Sequence, residues 1–83
     1  MGVAEEITER LTRAFSPTEL GVVNESYKHA GHGGDDGSGE SHFVIRIRAE
    51  TLAGMTRVAR HRAVQSALGD LNGRVHAIAL DIG

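Results

Sequence analysis

Residues 42–48 alternate between apolar and mostly polar side chains, and this pattern limits the fold more than any other feature of the sequence. Phe43, Ile45 and Ile47 occupy every second position. Successive side chains of a β-strand point to opposite sides, so these three residues fall on one face. The opposite face carries His42, Val44, Arg46 and Arg48. The segment is therefore predicted to be a strand with one covered face and one wetter face.

Four further segments have recognisable patterns. Residues 3–15 repeat an apolar side chain every four positions, which predicts an amphipathic helix that ends before Pro17. Residues 20–27 predict an irregular strand, and residues 51–54 predict a turn. Residues 75–82 alternate again, which predicts the last strand. With one helix in between, the order predicts an α+β fold with a three-stranded sheet under helices.

The second long helix is predicted over residues 57–71. Thr56 precedes it as the expected N-cap, and Gly73 follows as the expected stop signal. Gly69 lies near its end and weakens it slightly. The stripe expected to be buried consists of Val58, Val64, Ala67, Leu68 and Leu71.

The length of 83 residues predicts one small domain over 1–83 with a thin core. Residues 30–41 contain five glycines, which predicts a flexible connection between the first two strands. No apolar run is long enough for a membrane span, and no secretory signal is expected. The sequence has no cysteine, which agrees with a reducing cytoplasm.

The net charge of −2 argues against strong binding to DNA or RNA, because proteins that contact many phosphates are usually basic. The charge is unevenly distributed. Residues 1–40 carry eight acidic and three basic side chains, and residues 41–83 carry three acidic and six basic ones. Any acidic partner is therefore expected to meet the second half of the chain.

Histidines are the main candidates for metal chemistry in a chain without thiolates. His29 and His32 lie three residues apart at the start of the glycine-rich segment, where both can reach one ion. The alternative is two solvated histidines in a loop. His76 lies in the last predicted strand, where a histidine bonded to the backbone is the commoner outcome. His42 is assigned a structural role.

Several enzyme signatures are absent from the sequence. It contains no phosphate-binding Gly-x-x-x-x-Gly-Lys motif, no Gly-x-Ser-x-Gly motif, no His-Glu-x-x-His motif and no cysteine nucleophile. We therefore expect a protein that is not an enzyme.

Four stretches, in this order, resemble the BolA family: residues 25–32 (ESYKHAGH), 39–43 (GESHF), 60–62 (RHR) and 75–80 (VHAIAL). The resemblance covers nearly the whole chain. It implies a class II KH-like fold, α-β-β-α-α-β, with a mixed three-stranded sheet, helices on one face and a short helical turn near residues 49–52. These implications agree with the order of elements predicted above.

The resemblance also implies a partner and a cofactor. BolA proteins bind a monothiol glutaredoxin and share a [2Fe–2S] cluster with it, in iron–sulfur trafficking or iron regulation. The family's ligands match His29 in the loop and His76 in the last strand, so the loop is of the histidine type, and His32 is an additional candidate. Since the chain has no thiolate, a glutaredoxin cysteine and glutathione would supply the sulfur ligands. No cluster is expected on the isolated chain.

Two rival interpretations stay open. A KH-like transcriptional regulator would bind nucleic acid through basic side chains, but residues 53–57 lack the second glycine of the Gly-x-x-Gly loop, and the net charge disfavours DNA. A plain adaptor would dock glutaredoxin without sharing metal. A homodimer is also open. The basic candidates for the nucleic-acid alternative are Arg46, Arg48, Arg57, Arg60 and Arg62.

Overall fold

The structure is a computed structural model and describes residues 2–25, 42–75 and 77–83. The predicted α+β architecture is confirmed. In chain order the elements are α1 (Val3–Phe15), β1 (Glu19–Asn24), β2 (His42–Arg48), α2 (Glu50–Ala53), α3 (Arg57–Leu68), α4 (Leu71–Arg74) and β3 (Ala77–Ile82). The predicted glycine-rich connection and residues 26 and 27 of the second predicted element lie outside the described residues.

The sheet has the strand order β1-β2-β3. β1 pairs with β2 in the antiparallel sense, and β2 pairs with β3 in the parallel sense, so the sheet is mixed as predicted. Leu20, Ile47 and Ile82 share one row across the three strands, and their side chains face the core. The next row, on the opposite face, contains Gly21, Arg46 and Asp81, all exposed. The alternation in the sequence therefore corresponds to one covered and one open sheet face.

The core lies between the covered sheet face and the helices. α1 has the predicted bounds and is anchored by Val3, Ile7 and Leu11. It ends at Phe15, and the next residue, Ser16, has a left-handed φ of 46° and donates its N–H to the Thr12 carbonyl. The most deeply buried side chains of the other elements are Phe43, Ile45, Ile47, Leu52, Val64, Leu68 and Leu71.

The segment predicted as a turn over residues 51–54 is instead the one-turn helix α2 (Glu50–Ala53). Its formation has a packing reason, because Leu52 is fully buried and anchors the turn to the core. The N–H groups of Leu52 and Ala53 both bond to the carbonyl of Ala49. The helical turn implied by the family resemblance is therefore confirmed at this place.

The helix predicted over residues 57–71 ends earlier, at Leu68. Gly69 has a φ of 56°, a value that glycine adopts readily, and its N–H bonds to the Gln65 carbonyl. Gly73, the expected stop, lies inside α4 instead, and Leu71 belongs to α4 as well.

The prediction that Val58 is buried is wrong, because the residue is 60% exposed. Val58 and Val64 are six residues apart, so their side chains point about 120° apart around a helix of 3.6 residues per turn. Val64 is fully buried, so Val58 points away from the core.

Candidate functional site

Three chain segments meet at the end of the sheet where β2 begins. The main-chain N–H of Glu25, just after β1, donates a 2.9 Å hydrogen bond to the carbonyl oxygen of His42. On the other side of β2, His42 is the Cα partner of Ala77, the first residue of β3. We call the meeting point of Glu25, His42 and Ala77 the strand junction. It joins the two residues that flank segment 26–41 to the beginning of the last strand.

His42 is part of the framework of this junction. Its residue surface is only 9% exposed, although it lies on the open sheet face, opposite to that of Phe43. Val44 and Ala79, farther along the same face, are more exposed. This burial agrees with a structural role for His42.

The predicted metal ligands His29, His32 and His76 lie outside the described residues, and their contacts stay predictions. The residues to which they are joined are described. Glu25 and Ala77 lie on either side of β2, two interstrand spacings or about 10 Å apart. His29 follows Glu25 by four residues, which can span at most about 14 Å. His76 is bonded directly to Ala77.

A groove opens beside the junction, between the helices and the start of β3. Its volume is about 430 Å³, and it is lined by Gln65, Asn72, Ala77 and Ile78. The Asn72 side chain bonds to carbonyl groups at the C-terminal end of α3. Its Nδ2 donates to the carbonyl oxygens of Gln65 at 2.8 Å and Gly69 at 3.0 Å. The end of α3 therefore forms one wall of the groove, and the first residue of β3 is exposed beside it.

The chain between α3 and β3 is held to α1 by charged side chains. Arg10 Nη1 donates to the Leu68 carbonyl oxygen at 2.6 Å and to Asp70 Oδ1 at 2.7 Å. Arg74 Nη1 lies 2.8 Å from Glu6 Oε2 and 3.6 Å from Asp70 Oδ2. The hydrogen bond from Arg10 lowers the pKa of the Asp70 carboxyl below its ordinary value, since it favours the charged form. No sequence pattern indicates this set of contacts, since its members are far apart in the chain.

Within the described part of the chain, no group of three or more metal-binding side chains is assembled. Among those same residues, no helix is long and apolar enough to cross a membrane.

The family model for BolA-like proteins matches residues 11–82 of the chain. The chain belongs to the BolA family. Among relatives, it is 47% identical to "Uncharacterized protein in cobS 5'region" from a Sinorhizobium species, over 98% of this chain and 89% of that protein. It is 40% identical to the DNA-binding transcriptional regulator BolA of Escherichia coli, over 96% of this chain and 73% of that protein.

Solved BolA structures share the fold described here. BolA1 from Arabidopsis thaliana superimposes with a TM-score of 0.84 at 34% identity, and the match covers 99% of this chain and 90% of that one. The fold class predicted from the alternating strands and from the BolA resemblance is therefore confirmed.

The five arginines considered for nucleic-acid binding by this BolA protein do not form one surface. Arg46 and Arg48 project from the open sheet face, where they pair with acidic side chains of neighbouring strands. Arg57 and Arg62 are exposed on α3, whose buried residues pack against the covered face. Arg60, also on α3, donates from Nε to the Met55 carbonyl oxygen at 3.1 Å. The basic side chains are thus divided between two sides of the molecule.

Proposed function

We propose that this BolA protein is an accessory protein that binds a monothiol glutaredoxin and shares a [2Fe–2S] cluster with it. The proposed ligands from this chain are His29 and His76, with His32 as the alternative loop ligand. The proposed role is iron–sulfur trafficking or iron regulation in the cytoplasm, without enzymatic activity. The observation that carries the proposal is the strand junction, which brings the residues next to both ligand-bearing segments to one end of the sheet.

The dimensions of the junction support a site shared by two histidines. The separation of Glu25 and Ala77, about 10 Å, is smaller than the span of about 14 Å available to four extended residues. Long imidazole side chains add to that reach from both sides. A ligand at position 29 and a ligand at position 76 therefore need no rearrangement of the described strands to approach one metal ion.

The donor chemistry also supports a shared cluster rather than one held by this chain alone. Histidine can replace cysteine on one iron of a [2Fe–2S] cluster, as in Rieske centres. The other iron still needs thiolates, and none of the 83 residues is a cysteine. A glutaredoxin cysteine and glutathione would supply them. The groove beside Ala77 gives a partner access to this end of the sheet.

The proposal is tested by adding the chain to cluster-loaded monothiol glutaredoxin in the presence of glutathione and recording visible circular dichroism. A new spectrum is expected for the wild type, and His76→Ala should abolish it. His29→Ala and His32→Ala should identify the loop ligand, since only one is expected to have a comparable effect. His61→Ala is the matched control, because His61 lies on α3 with Nδ1 3.0 Å from the Arg57 carbonyl oxygen.

Two results would contradict the proposal. One is an unchanged spectrum for His76→Ala at saturating concentration. The other is a stable visible-absorbing cluster on the isolated chain. If His76→Ala still binds glutaredoxin and the wild type never alters the cluster spectrum, the protein is a plain adaptor.

Nucleic-acid binding is the second candidate, favoured by the name of the Escherichia coli relative, a DNA-binding transcriptional regulator. In this chain the surface for it would be α3, where Arg57 and Arg62 are exposed. Binding to random-sequence DNA should then weaken steeply with salt and be reduced by Arg57→Gln and Arg62→Gln. Absence of binding at low salt would remove this candidate.

A further inference from the structure

Side chains of α1 form ion pairs and hydrogen bonds with the chain that connects α3 to β3. We call the four side chains Glu6, Arg10, Asp70 and Arg74 the ionic clamp. Arg10 and Arg74 both contact Asp70, and Arg74 also contacts Glu6, so one continuous chain of charges joins α1 to α4. Arg10 and Asp70 are 60 positions apart in the sequence, Arg74 and Glu6 are 68 apart, and Arg74 and Asp70 are one helical turn apart.

Arg10 is the member that reaches both the end of α3 and Asp70. Its Nη1 atom serves two acceptors at once, the Leu68 carbonyl oxygen at the end of α3 and the Asp70 carboxylate. The last carbonyls of a helix have no partner inside the helix and carry partial negative charge, so a guanidinium satisfies them well. The Arg10 side chain is 33% exposed, whereas Arg13 on the same helix is 77% exposed. Bonds between charged groups are stronger when partly shielded from water.

The clamp acts on a short piece of chain. After Gly69, only Asp70, α4 and Val75 precede position 76. Leu71 and Val75 are buried and hold this piece down on the core. Arg10 holds its beginning through Asp70, and Arg74 holds its end. The chain up to Val75, the last described residue before position 76, is therefore held by contacts with α1 as well as by burial in the core.

We propose that Arg10 is a positioning residue for the last-strand ligand, and that the ionic clamp fixes the approach of the chain to position 76. This inference rests on the proposed function, because it assumes that His76 binds the shared cluster. Arg10 itself is not one of the proposed ligands. Its effect passes through Leu68, Asp70 and α4 to Val75 and the next residue.

The test compares Arg10→Gln with the matched control Arg13→Gln. Both variants remove one arginine from α1, but Arg13 pairs only with Glu9 one turn away on the same helix among the contacts described. The first readout uses the isolated chain: the ring resonances of His76 in a ¹H–¹³C NMR spectrum, with those of His61 as internal reference. Arg10→Gln should shift the His76 signals and leave the His61 signals in place, and Arg13→Gln should shift neither.

The second readout is the complex with cluster-loaded glutaredoxin. Arg10→Gln should weaken its formation about five- to tenfold and change its visible circular dichroism, because ligands must be held within about half an ångström of their productive positions. Arg10→Lys should restore most of both properties. One nitrogen makes both contacts of Arg10, and a lysine ammonium also has enough donors for two acceptors.

A second variant, together with thermal unfolding of each variant, distinguishes an effect on position 76 from a general loss of stability. Asp70→Asn removes the charge that Arg10 binds but leaves the contact with Leu68 available. It should shift the His76 signals in the same direction by a smaller amount while the fold stays intact at the temperature of measurement. His76 signals that are identical in wild type, Arg10→Gln and Asp70→Asn would overturn the inference.

The experiments distinguish an incorrect positioning role for Arg10 from an incorrect proposed function. If His76→Ala abolishes the mixed spectrum but Arg10→Gln behaves like Arg13→Gln, only the positioning role is wrong. If His76→Ala has no effect, the proposed function is wrong. The NMR comparison then still decides whether the clamp orients position 76.

Discussion

His42 and Ala77 face each other across the parallel pair β2–β3, and this pairing fixes the end of the sheet where the proposed site lies. The next pair along the strands is Phe43 and Ile78, which pack in or against the core. A shift of one residue in register would turn Phe43 out to solvent and a polar side chain inward. The burial of Phe43 therefore fixes the register in which His42 lies beside Ala77, so packing in the core determines the geometry of the strand junction.

Val64 and Val58 are the same residue type on the same helix, so a comparison of the two tests how much burial in the core contributes to stability. Val64 is fully buried and Val58 is 60% exposed. Val64→Ala should lower the free energy of unfolding by about 2 kcal/mol, from lost burial plus a cavity. Val58→Ala should change it by less than about 0.5 kcal/mol. Urea denaturation followed by circular dichroism measures both, and equal effects would contradict the described orientation of α3.

Strong local patterns in the sequence were sufficient to predict α1 and β2 to the residue. α1 has an apolar residue every four positions, β2 has an apolar residue at every second position, and both patterns reflect a single covered face. The break between α3 and α4 was missed because apolar residues continue at helical spacing past Gly69. Only the backbone conformation, with its positive φ, ends the helix there.

The candidate site is less accessible to sequence reasoning than the fold. Position 76 was singled out by residue type and by family resemblance, whereas the clamp that leads to it was not. Arg10 and Asp70 are 60 residues apart, and no periodicity connects them. An exposed arginine that pairs with its own helix and one that spans two helices look the same in a sequence. Arg10 and Arg13 are an example of this ambiguity.

The N-cap of α3 is a confirmed prediction that can be measured. The Thr56 hydroxyl accepts a hydrogen bond of 3.2 Å from the Ala59 N–H, as expected for a residue that begins a helix. Thr56→Ala should therefore cost about 1 kcal/mol of unfolding free energy. Thr51→Ala is the control, since Thr51 is an exposed residue within α2 and should have an effect near zero. Indistinguishable denaturation midpoints for the two variants would contradict the cap.

Acid should weaken the ionic clamp through Asp70. The pKa of this carboxyl is lowered in the folded state, chiefly by its hydrogen bond from Arg10. Its contribution to stability is therefore complete above the ordinary carboxyl pKa and is lost as the pH falls through the lowered value. The stability difference between wild type and Asp70→Asn should be constant above about pH 5 and narrow below about pH 4. In an Arg10→Gln background the narrowing should be smaller, and parallel pH profiles in both backgrounds would contradict the assignment.

Gly69 and Gly73 should respond in opposite ways to the same substitution. Gly69 has a φ of 56°, and a Cβ there would lie 3.3 Å from Arg10 Nη1. Gly69→Ala should therefore cost about 1–3 kcal/mol through backbone strain, and it should disturb the clamp as well. Gly73 lies within α4 with no atom near the position of a Cβ, so Gly73→Ala should be neutral or stabilise the protein by up to about 1 kcal/mol. Thermal unfolding of both variants measures the difference. If Gly69→Ala is tolerated as well as Gly73→Ala, the positive φ that ends α3 at Gly69 is contradicted.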